Sequence, residues 1–172
     1  MTSTTTSPSA SPTSGASAPY LLRAISPETA DDLRRQGGPV SRADRHPGYP
    51  CRQCLRDADE GEELILVSHD PFTVDSPYRS ASPVFLHRQP CGRPDESTQL
   101  PVQLTSRQLS VRAFDRSAMM IDAAVIDGSE LDATLRRFFE ETATDLVHVH
   151  NATRGCWAVN AVRPPVAPAP GA

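Results

Sequence analysis

The alternation of apolar and polar positions divides the chain into short elements. "YLLRAIS" (20–26) predicts a first strand. Ser26 is a good helix cap and Pro27 suits a first helical position, so "ETADDLRRQ" predicts a helix that stops at Gly37 and Gly38. Residues 39–61 show no period; their prolines and charges predict a long loop. "EELILVSHD" (62–70) is almost continuously apolar, as a central strand is. "PVFLHR" (83–88) is the next strand, and 89–101 is a polar loop holding Cys91. In "QLSVRAF" (108–114) Leu109, Val111 and Ala113 alternate with polar residues, and "DRSA" then turns into "MMIDAAVIDG", which predicts a hairpin.

Ser129 can cap a second helix, in which Leu131, Leu135, Phe138 and Phe139 form one apolar stripe opposite Arg136, Arg137, Glu140 and Glu141. Two strands close the chain, at 145–150 and 156–163. The sum is an α+β fold, a mainly antiparallel sheet of about seven strands with two helices, one of them packed on a sheet face.

The last two strands enclose "HVHNATRGCW" (148–157). Side chains alternate across a strand, and a register slip of one residue would mix the two faces. A coherent apolar face needs Val147 and Val149 beside Trp157 and Val159. His148, His150 and Cys156 then share the opposite face.

Composition bounds the rest. Residues 1–19 are nearly all Ser, Thr, Pro, Ala and Gly, too poor in apolar groups to offset the entropy of ordering. They are expected to form a disordered tail, and 165–172 a second, Pro/Ala-rich one. Residues 20–164 remain for a single domain. A basic n-region, an apolar leader and a membrane-length apolar run are all missing, so the expectation is a soluble cytoplasmic protein. The net charge is −4 without a basic cluster, which argues against nucleic acid as a partner. All 17 basic residues are arginine. Schiff bases, Ser–Lys dyads and a P-loop lysine are therefore excluded.

Candidate chemistry centres on "YPCRQCLRDADEG", which holds a C-x2-C at Cys51 and Cys54. Cytosolic cysteines are expected to be reduced, which leaves inert thiols, a reactive thiol or a metal site. As a reactive thiol, Cys51 would form a catalytic group with His150 and Cys156, if the loop packs against the last hairpin. A nearby imidazole can accept the thiol proton, and Arg52 would favour the thiolate. Arg52, Arg79, His148 and Asn151 are then the candidates for binding a small polar or anionic molecule. As a metal site, the C-x2-C lacks a second such pair. Zinc would need Cys51 and Cys54 with His150 and Cys156, with His148 and Cys91 as further candidates. Neither a phosphatase loop nor a G-x-S-x-G, H-E-x-x-H or Walker A sequence is present.

Several stretches together, "HPGYPCRQCLRDADEGEELILVSHDPF", "DSPYRSASPVFLHR", "VRAFD" and "HVHNATRGCWA", resemble the bacterial domain-of-unknown-function family 1203 (DUF1203) over about residues 20–163. Pro50, Cys51 and Arg52 match one of its motifs; His150, Asn151, Ala152, Gly155 and Cys156 match another. The resemblance implies no activity and carries over no catalytic residue. Two functional expectations stand: a domain that binds a small polar or anionic ligand at a Cys/His/Arg pocket, with or without thiol chemistry, or a non-catalytic structural or interaction module, either zinc-stabilised through Cys and His or purely structural.

Overall fold

The structure is a computed structural model that describes residues 18–94 and 99–165. The two tails lie almost wholly outside the described residues. Eight strands form two antiparallel sheets. The larger is built from β1 (Leu21–Arg23), β5 (Gln108–Phe114), β6 (Met120–Asp127), β7 (Leu146–Asn151) and β8 (Trp157–Val162) in the order β1-β8-β7-β5-β6. The smaller is β2 (Val40–Arg42), β3 (Glu63–His69) and β4 (Ser82–His87), with β3 central as its apolar run requires. The expectation of one main sheet of seven strands is corrected on both counts. The additional strand, β2, lies in the segment read as loop. Its residues Val40–Arg42 are exposed or half-buried, so they carry no apolar signal.

Both long helices pack on sheets. α1 (Pro27–Gln36) starts at Ser26, whose Oγ accepts from the amide of Thr29 at 3.2 Å, and ends at Gly37, which has φ of 78°. Its Ala30 and Leu33 meet Ile65 and Val67 of the smaller sheet. A short α2 (Val102–Thr105) precedes β5. α3 (Leu131–Glu140) turns its stripe of Leu131, Leu135, Phe138 and Phe139 onto Val111, Val147, Val149 and Val159 of the larger sheet. Its start differs from the Ser129 cap: a 3-10 turn (Gly128–Glu130) leads in, and Asp127 and Glu130 form a reciprocal capping box.

The β7–β8 hairpin holds the main surprise. Val147 pairs with Ala161 and Val149 with Val159, but His150 pairs with Trp157. The extra residue is a β-bulge, and it breaks the period of two at this one position. Trp157 thus parts from Val159. It leaves the α3 face and enters the seam between the sheets, with Val67, Val84 and Leu86. There its indole N–H donates to Asn160 Oδ1 at 2.7 Å and its ring lies 4.9 Å from that of His69. The expected separation of Trp157 from the histidine face is therefore overturned.

Candidate metal centre

The segment from Tyr49 to Asp57 is pinned by backbone bonds on three sides. Cys51 N donates to Arg56 O, Arg52 N to Phe85 O of β4, and Ile25 N, just after β1, to Arg52 O. The C-x2-C turn is therefore stitched to both sheets. Leu55, directly after it, has φ of 55°. That left-handed conformation costs a residue with a Cβ about 1–2 kcal/mol, and burial of its side chain in the main core offsets it.

Four ligand atoms converge here. Those of Cys51, Cys54, His87 and Cys91 all lie within 4.8 Å of one another. The thiols of Cys51 and Cys91 are 3.7 Å apart, and Cys54 Sγ is 3.5 Å from His87 Nδ1. A tetrahedral zinc with ordinary bond lengths needs sulfur–sulfur edges of about 3.8 Å and sulfur–nitrogen edges of about 3.6 Å. The four cysteines are free thiols.

The surroundings suit the same task. His87 Nε2 faces Glu62 Oε2 at 3.3 Å, which leaves Nδ1 for the cluster. Glu62 is itself held by Arg56, at 2.8 and 3.0 Å, and by the amide of Asp59. The Arg56 guanidinium keeps its carboxyl down at about 2. Cys91 is positioned by Gln53, whose Nε2 donates to its carbonyl at 2.8 Å, and Gln53 is fixed by Arg34 at 2.5 Å. Hydrogen bonds from Cys54 first and Cys91 next, joined by those from the His87 side chain and the Cys54 backbone, hold the Cys51 thiol far below its ordinary range, and the His87 amide donates to its sulfur at 3.4 Å. The bond with Cys51, then that with Cys91, pushes Cys54 up, and the same two thiols lift His87 to about 10. The network thus favours negative sulfur beside a positively charged imidazole ring.

The sequence candidates are only partly gathered. Cys51 and Cys54 are in the cluster; His87 and Cys91, not His150 and Cys156, complete the four. Cys156 is half-buried, with its thiol 3.7 Å from the Arg154 carbonyl. His150 is buried and its Nδ1 lies 2.9 Å from Gly155 O. His148 is buried between the rings of Phe72, 4.4 Å away, and Phe114, 5.0 Å away. The Nε2 atoms of both histidines and Oδ1 of Asn151 are buried without a hydrogen-bond partner among the described residues. Arg79 is bound to Asp70 and Asp75 instead of to Cys51. Arg52 is 2% exposed and donates to Gln103 Oε1 at 2.5 Å. Burial pulls its pKa down to about 10. Sequence reading missed His87 and Glu62. The available signal was the mixed pair His87-x3-Cys91, which a search for a second C-x2-C or an H-x3-H passes over.

These features define a two-sheet α+β domain with a Cys3His cluster able to hold a metal such as zinc. The chain belongs to the DUF1203 family, described as a protein of unknown function, whose family model matches residues 48–163. That span includes all four cluster residues. Comparison with curated proteins and with solved structures gives no match. No helix among the described residues is long and apolar enough to cross a membrane.

Proposed function

We propose that this is a metal-stabilised, non-catalytic domain in which Cys51, Cys54, His87 and Cys91 hold one zinc ion. The observation that carries the reading is the convergence of four ligand atoms within 4.8 Å of one another, with the Cys51–Cys91 and Cys54–His87 separations close to the edges of a zinc tetrahedron. Four protein ligands with the Cys51 thiol fully buried describe a closed site, the structural kind, since a catalytic zinc keeps one position for water or substrate. The ion would tie the turn at 51–54 to the end of β4 and the segment that follows it.

Metal analysis of the purified full chain tests this. The expected result is one zinc per chain, lost in Cys91→Ser and released when thiols are modified. Glu62→Gln should keep the fold and weaken zinc about 10–100-fold, because it removes the carboxylate that orients His87. Metal-free native protein that shows one fast-alkylating cysteine would overturn the reading. That outcome would favour the second one, a reactive thiol at Cys51, which the donors converging on its sulfur support.

A further inference from the structure

Between the segment 45–50 and the β7–β8 turn lies a cleft of about 480 Å³, walled by Arg45, Tyr49, Arg107, Asn151, Thr153 and Arg154 among others. Its volume falls in the range of small-molecule sites, about 300–1,000 Å³. Three guanidinium groups line it, and among the described residues no carboxylate does. The larger cavity beside α1 sets Arg23, Arg93 and Arg163 against Asp70 and Asp145 and is mixed in sign.

The charges in the smaller cleft are unequally satisfied. Arg107 is bound at 2.6 Å by Asp57, which lies behind the wall. Arg45 has a loose, exposed contact with Asp44 at 3.7 Å, and its guanidinium lies over the Tyr49 ring. Arg154 has no side-chain partner among the described residues. A little further along the chain from Tyr49, the buried Arg52 donates to the neutral side-chain amide of Gln103, and the Gln103 main-chain carbonyl accepts from Arg107. Asp57 offsets part of the Arg52 charge, and Arg107 adds to it.

A second observation points to the ligand's other end. Asn151 lines the cleft, and its Oδ1 is a buried acceptor without a donor among the described residues. A buried amide oxygen left unpaired costs about 1–3 kcal/mol, so it wants a hydroxyl or N–H. Tyr49, tilted against Phe85 at 5.5 Å, supplies an aromatic wall against which a sugar ring can lie.

We infer that this cleft binds a small organic phosphate that carries free hydroxyl groups, of the sugar-phosphate kind. Arg45 and Arg154 take the phosphate, with Arg107 in the same wall. Asn151 Oδ1 accepts from a hydroxyl. Forked guanidinium groups match phosphate oxygens two at a time, which suits this division of work. The inference does not rest on the metal; the two sites share no residue.

Isothermal titration of the intact zinc-loaded chain, or of the chain as purified, would use ribose 5-phosphate, ribose and inorganic phosphate as probes. Ribose 5-phosphate should bind more tightly than either part. Arg154→Ala and Arg45→Ala, both surface changes, should each weaken it about tenfold, the loss of one charge-assisted contact. Asn151→Leu should weaken ribose 5-phosphate but leave inorganic phosphate unchanged. Unaltered melting temperatures for the two arginine variants would show that the fold is intact. Absence of ribose 5-phosphate binding at millimolar concentration would overturn the inference. So would equal affinity for inorganic phosphate and ribose 5-phosphate, or binding that the arginine variants leave unmoved.

Discussion

His148 and His150 show how one residue's surroundings set a property of the whole chain. Each is buried, and burial is the main reason their pKa values fall, to about 3 for His148 and about 4 for His150. The charge of His150 and then Arg112 lower His148 further, against Asp70; for His150 the bond with the Gly155 carbonyl pulls up, while Arg112 and Arg52 pull down. Unfolding releases both to the ordinary value of about 6.5. Between about pH 6.5 and 4 the unfolded chain therefore binds more protons than the folded one, and stability falls as pH falls. Each histidine should contribute up to about 1.4 kcal/mol per pH unit in that window. His148→Phe, which keeps a ring between Phe72 and Phe114, should flatten the slope by about one such share. Urea unfolding of both proteins at several pH values between 4 and 7 measures it; parallel slopes would contradict the assignment.

At the scale of elements, local rules succeed wherever one neighbour decides. Ser26, Pro27 and Gly37 bound α1 as capping chemistry requires, and the stripe on α3 finds the sheet its period implies. Rules fail where a distant element intervenes. Gly128 carries no local signal, but a Cβ there would come within 2.1 Å of Leu104 O, a backbone atom. The start of α3 is set by this close approach to α2, which no pattern along 127–132 could reveal. Gly128→Ala should cost about 1–3 kcal/mol, as forced overpacking does, and denaturant unfolding would show it. The bulge at Trp157 has the same origin: a large ring is claimed by the seam between two sheets, against the period of its own strand. So too with the site. Its first half was legible as the C-x2-C at Cys51 and Cys54. Its second half stands at the end of β4, more than thirty residues on by the numbering, and only the pairing of Cys51 with Phe85 brings it near. Arg52, next to Cys51, is buried as well, and its position in the chain reveals nothing of that.

For the whole molecule, the cluster sits where the two sheets are joined. The main-chain bonds of Arg52 reach β4 on one side and Ile25, beyond β1, on the other. Withdrawing zinc should therefore weaken this junction without melting the larger sheet, whose core is made by α3 and its valines. Hydrogen exchange after chelation should show faster exchange at the amides of Ile25, Cys51, Arg52 and His87. The amides of β5 and β7 should stay protected. A uniform loss across both sheets would mean that the domain has a single folding unit tied to the metal.

The placement of Trp157 has an optical consequence. It is the one indole in the chain, and it shares a packed cluster with Cys51 while resting on His69. Its emission belongs to one point, the seam, with no second tryptophan to dilute it. Opening of the junction lets water reach that ring and shifts its fluorescence to the red, so the protein carries its own dye at the place where its two halves meet.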